Sequence, residues 1–171
     1  MSKVYGLVTE FTPVRRDVSR VVCGYNMQAE PDGVHATWNE VYFYKKQHPN
    51  LSLQEIKEAI TADINAETHD RIVTALVWND KPVWLSNENQ ANWNAAYAQA
   101  KETEGGNLPV RFKIGETDEG EPVYQTFDAL AVFEDFHNAC LAHIQQCLTD
   151  GWDLKDSIAW SLYDDGSSQP E

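Results

Sequence analysis

Cysteine is scarce in this chain, and the shortage removes a whole class of fold. Three cysteines (Cys23, Cys140 and Cys147) in 171 residues are too few and too unevenly spaced for a disulfide framework. A reducing, cytoplasmic setting is expected. Positive charge is scarce too: 13 Lys and Arg stand against 27 Asp and Glu, for a formal net charge of −14. Nucleic-acid binding depends on Lys and Arg displacing counterions from phosphates, so this balance opposes it. An anionic membrane surface would repel the chain for the same reason. No apolar run approaches the roughly 20 residues of a membrane helix. Met1–Phe11 alternates instead of placing a long apolar stretch behind a charged one, so no signal peptide is expected.

Catalytic signatures are missing as well. There is no Gly-x-Ser-x-Gly elbow, and no Gly-rich phosphate loop or dinucleotide fingerprint, so no cofactor is implied. Asp63-x-Asn65-x-Glu67 resembles the opening of a calcium loop. Thr68 stands where the sharp-turn glycine belongs and Thr74 where the closing glutamate belongs, and the match fails.

What is present suits a folded domain. Apolar residues at 42% are too many for a disordered chain, and a chain of this length buries roughly 70% of its unfolded surface without a metal or disulfide. The charge is uneven. After Lys101, fifteen acids meet only Arg111, Lys113 and Lys155. Such a surface attracts a basic partner, and it also simply keeps a protein soluble.

Local signals order the elements. Lys3–Thr12 reads as a first strand, and Val21–Gln28 and Val34–Tyr44 flank the turn-forming Pro31-Asp32-Gly33. Ser52-Leu53-Gln54-Glu55 has the form of a capping box, with Ile56, Ala59, Ile60 and Ile64 following at helical spacing to about Glu67. Ile72–Trp78 and Val83–Leu85 bracket Asn79-Asp80-Lys81-Pro82 as a hairpin. Ser86 is placed to cap a helix that Gly105-Gly106 must end. A second hairpin, Val110–Ile114 with Pro122–Gln125, precedes a long helix from about Phe127 to Thr149, closed by Gly151. Asp153-Leu154-Lys155-Asp156 opens a last short turn, and Asp164–Glu171 reads as a frayed tail. The expected fold is α+β: antiparallel β-hairpins packed against three main α-helices. It is read as one domain over 1–171, with a strand-rich part at 1–50 and an α+β core at 51–163.

Two clusters carry chemistry. Cys140, His143 and Cys147 share a narrow stripe of the long helix, as a thiolate–imidazole metal site would require. Structural zinc usually draws ligands from at least two elements, however, and both cysteines border the apolar face, where cysteine acts as a small hydrophobe. The second cluster is aromatic. Trp78 and Trp84 lie on the two arms of one hairpin, and Trp93 follows on the next helix near Gln90. They form either an exposed platform for a protein or sugar partner or the core junction of sheet and helix, and the second is the commoner role. Asn89, Gln90 and Asn92 are of the kind that tie a helix start to a neighbouring hairpin.

The run Ile72–Gln90, with Trp84-Leu85 at its centre, together with Leu108–Lys113 and Phe127–Phe136, resembles an uncharacterised family of phages, prophages and gut bacteria known as domain of unknown function 4376. The resemblance spans roughly Ile56 to Trp160, with Glu40–Lys46 as a further stretch. It implies an accessory or virion-associated product, cytoplasmic or in the particle, and it brings no functional residues with it. The leading expectation is therefore a phage- or prophage-derived structural or interaction domain, tail-associated, with a protein partner. The alternative is a small hydrolase whose site is assembled from dispersed Asp, Glu and His; His35, His48 and His69 could each pair with a carboxylate, as histidines of most globular proteins could.

Overall fold

Alternation and capping build the elements as expected in most places, and the chain adopts an α+β fold. The computed structural model describes residues 2–164. Most of the stretch read as a tail, 165–171, lies outside the described residues. In order, the strands and helices are β1 (Ser2–Leu7), β2 (Val14–Arg16), β3 (Arg20–Ala29), β4 (His35–Tyr44), α1 (Leu53–Thr74), β5 (Leu76–Trp78), β6 (Lys81–Val83), α2 (Asn87–Glu102), β7 (Val110–Glu116), β8 (Pro122–Phe127) and α3 (Leu130–Ser157). The chain groups into two compact units, Met1–Ala66 with Gly151–Glu171, and Glu67–Asp150. No helix among the described residues is long and apolar enough to cross a membrane.

The first unit is built on an antiparallel sheet in the order β1-β4-β3-β2. Val21, Cys23 and Tyr25 point to one face and sit opposite Phe43, Val41 and Asn39. Ile56, Ile60 and Ile64 of α1, spaced four apart, pack into the same core. Tyr163 closes this core, its hydroxyl donating to the Gly24 carbonyl at 2.7 Å. On the other face Trp38 needs glycine beneath it. A Cβ on Gly6 would stand 2.8 Å from the Trp38 ring, and one on Gly24 would stand 3.1 Å from the Phe11 ring. The Trp38 indole N–H donates to the buried Glu40 at 3.1 Å, and the Tyr42 hydroxyl donates to the same carboxylate at 2.7 Å. A buried carboxylate must be paired in this way.

The capping box forms as read. The Ser52 amide donates to Glu55 at 2.8 Å, and the Glu55 amide donates to Ser52 Oγ at 3.3 Å. The Ser52 amide, His48 and the Ser52 hydroxyl, which donates at 2.8 Å, hold the Glu55 carboxyl down at about 2. The Pro31-Asp32-Gly33 turn forms too, with Asp32 accepting from the Val34 and His35 amides at 2.8 and 2.9 Å.

Several boundaries differ from the sequence expectation: the second arm of the Trp78 hairpin is Lys81–Val83, not Val83–Leu85, and Val14–Arg16 adds an unexpected strand. The first strand breaks after Leu7 into a 3-10 turn at Val8–Glu10. The helix expected to stop near Glu67 runs to Thr74, so Ile72–Thr74 are helical and the strand begins only at Leu76. Its last-turn carbonyls find donors far along the chain: His143 to the Arg71 oxygen at 3.0 Å, and the Leu85 amide to the Val73 oxygen at 2.9 Å. Tertiary donors of this kind outweigh the weak strand preference of β-branched residues. Finally, α3 starts three residues after Phe127 and continues through Gly151 to Ser157, absorbing Asp153–Asp156. An interior glycine costs about 1 kcal/mol relative to alanine. Packing of Leu154 and Ile158 into the first unit's core offsets that.

In the second unit β5 pairs with β6, and β7 with β8. The Trp84 amide donates to the Ile114 carbonyl at 2.7 Å, and Gly115 lies so close to the hairpin that a Cβ there would be 2.2 Å from the Pro82 oxygen. Backbone offers no way to yield. Gly115→Ala is therefore expected to lower stability by about 1–3 kcal/mol or more, read as a drop in the urea midpoint at unchanged slope; a midpoint within error of wild type would refute the close approach.

Candidate functional site

The two hairpins and two helices of the second unit divide the conspicuous tryptophans into different environments. Trp78 is 6% and Trp93 3% exposed, whereas Trp84 is 45% exposed. Phe136 of α3 takes the first two together, with ring centroids 5.1 Å from Trp78 and 5.0 Å from Trp93, both edge-on. Phe127 stacks on Phe133 at 4.4 Å in the same core. The Trp78 indole N–H donates to Asp135 at 2.9 Å, which satisfies its polar end. An exposed platform made of Trp78, Trp84 and Trp93 is thus corrected: two of the three are core residues, because their hairpin and helix close over Phe136.

Gln90, half-buried, is tied to the neighbouring hairpin. Its amide donates to the Leu85 carbonyl at 2.7 Å, and the Asn89 amide donates to the Trp84 carbonyl at 2.9 Å. Ser86 accepts from the Asn89 amide at 3.3 Å and caps α2. These bonds tie the helix start to the hairpin and fix where Trp84 points.

Strand alternation then selects the outward side chains. Leu76, Trp78, Val83 and Leu85 are buried, and the residues between them face out. Val77 sits opposite Pro82 across the hairpin, and Val77 is 65% exposed. With Trp84 they make an outward apolar face. Beside it lies a shallow concavity of about 180 Å³ lined by Thr74, Pro82, Val83, Trp84, Gly115 and Glu116. Val77 and Pro82 were not singled out in the sequence, although the alternation around Trp78 and Val83 marks them.

The histidines and cysteines of α3 are committed elsewhere. His143 Nε2 donates to the Arg71 carbonyl at 3.0 Å, with the Cys147 sulfur 3.7 Å away. Cys140, His143 and Cys147 therefore do not converge on a common point. Among the described residues no group of three His, Cys, Asp or Glu is arranged to hold a metal ion. Burial pushes the Cys140 thiol up to about 12, so it stays protonated near neutrality. His137 stacks on Tyr97 at 4.2 Å and lies 3.1 Å from Asn94, and burial lowers its pKa. Tyr97 and Lys101 of α2 both donate to Glu134, at 3.0 and 2.9 Å. His137 and Cys140 do border one space, but at about 20 Å³ it admits no more than a water molecule.

A family model described as domain of unknown function (DUF4376) matches residues 55–167. The chain belongs to that family. No curated protein and no solved structure matches it. The matched stretch contains the whole Trp84 face and the core beneath it. It also contains both cysteines of α3, while Cys23 precedes it.

Cys23, Cys140 and Cys147 are all buried. Ellman's reagent is expected to label none of them in the native protein at neutral pH and all three after denaturation. Rapid labelling of Cys140 without denaturant would contradict its placement.

Proposed function

We propose that this chain is a non-catalytic protein-interaction domain whose docking surface is the Trp84 face. The observation that carries the reading is a large, half-exposed tryptophan held in place by backbone and amide hydrogen bonds from three elements, with Val77 and Pro82 on the same side. Large aromatics on a rigid support supply contact area at little entropic cost, and they dominate the energetics of interfaces. The concavity beside it falls below the roughly 300–1,000 Å³ that buries a small-molecule ligand, so a single side chain of a partner fits it better than a metabolite does. A phage- or virion-associated setting, with a structural or tail partner, belongs to this proposal as its biological context.

A hydrolase reading draws less support. It needs a cleft with converging groups, and the space shared by His137 and Cys140 is too small for a substrate and holds a protonated thiol.

The test is recovery of a partner on the tagged full chain from lysate of its source cells, identified by mass spectrometry and rebuilt from purified components. Trp84→Ala, with native circular dichroism, is expected to weaken the rebuilt complex at least about tenfold. A rebuilt complex that tolerates Trp84→Ala would place the interface elsewhere.

A further inference from the structure

The charges around the Trp84 concavity specify a partner more narrowly than its shape does. Its floor is apolar, formed by Pro82, Val83 and Gly115 under Trp84. Acids flank it from two directions. Glu116 lines it, and the turn that begins there carries Asp118, Glu119 and Glu121, held by the Thr117 amide donating to the Glu121 carbonyl at 2.9 Å. On the α1 side Thr74 is at the rim. Asp70 sits one helical turn before it, its carbonyl accepting from the Thr74 hydroxyl at 2.9 Å.

Two bases of the same elements are already paired with acids. Lys113 pairs with Glu116 and Arg71 with Asp150 at 2.7 Å; Lys81 donates to the neutral Gln125 at 2.8 Å and Arg111 lies over the Tyr124 ring, so these two keep their charge. Asp70, Asp118, Glu119 and Glu121 have no cationic partner among the described residues. Acids outnumber bases on the elements around the concavity, as they do in its whole unit, which carries fourteen acids and five bases. Like charges facing one another across an interface are strongly disfavoured.

We infer that the Trp84 concavity takes a short, lysine- or arginine-bearing segment of a protein partner, anchored by one aromatic or large aliphatic side chain. This rests on the interaction reading and narrows it. The anchor covers Pro82 and Val83 and packs on Trp84. The flanking cations lie toward the Glu116–Glu121 turn on one side and Asp70 on the other. The neutralising contacts are solvent-exposed, so they set selectivity and association rate more than depth of binding, and they weaken as salt rises.

Three fluorescein-labelled peptides test this on the full chain by anisotropy: tryptophan flanked by two lysines on each side, tryptophan flanked by glutamates, and the lysine peptide with alanine in the middle. The first is expected to bind at least about tenfold more tightly than either of the others. Its binding should be lost in Trp84→Ala and in Thr74→Arg, the second variant guarding against a folding defect in the first. It should weaken in Glu116→Lys and with added salt. Equal binding of the glutamate peptide overturns the charge inference, and loss of that binding in Trp84→Ala would then leave the docking surface standing. No binding by any of the three overturns the partner class, while a cellular partner sensitive to Trp84→Ala would still uphold the interaction reading. Lysine-peptide binding that survives both Trp84→Ala and Thr74→Arg overturns the site itself.

Discussion

The edge-on packing of Trp78 and Trp93 against Phe136 is the contact on which the second unit depends. It joins three elements at one ring: the β5–β6 hairpin, α2 and α3. Aromatic pairs at these distances contribute about 0.5–1.5 kcal/mol each beyond the area they bury. The bond from Trp78 to Asp135 then sets the hairpin's orientation on α3. Once those inward residues are placed, alternation turns Val77 and Pro82 outward within the hairpin, and the backbone bonds to Ile114 and Asn89 place Trp84 just past β6. Their exposure is a consequence of the core, not an accident of a loop.

Trp84 is held rigidly by the backbone around it. Its amide is bonded to Ile114, its carbonyl to Asn89, and the next carbonyl to Gln90. A side chain on such a backbone presents a fixed surface, and a preorganised surface pays less ordering entropy when a partner arrives. The acidic residues add direction. They crowd the turn after Glu116, where β7 ends, so the acidic turn and the apolar face adjoin.

Much of this was legible in the sequence where the signal is local. The capping box at Ser52–Glu55, the Ser86 cap, the Asp32 turn and the amide ties of Asn89 and Gln90 need only neighbours within a few residues, and all form. The failures share a cause. The true end of α1 depends on His143 and Leu85, residues far away in sequence, and the true end of α3 depends on what Leu154 and Ile158 pack against. Whether a tryptophan is core or surface is likewise decided by Phe136, 58 positions beyond Trp78 in the chain. Period-two alternation did hold the answer for Val77 and Pro82, but only once the inward set was known.

The central claim is that one hairpin carries a buried Trp78 and a solvent-facing Trp84, and fluorine NMR of the 5-fluorotryptophan-labelled protein tests it most directly. Resonances are assigned by single Trp→Phe substitutions, and a soluble paramagnetic agent is titrated in. Strong relaxation of the Trp84 signal is expected, with the Trp78 and Trp93 signals nearly unaffected. Equal protection of Trp84 and Trp78 would contradict it.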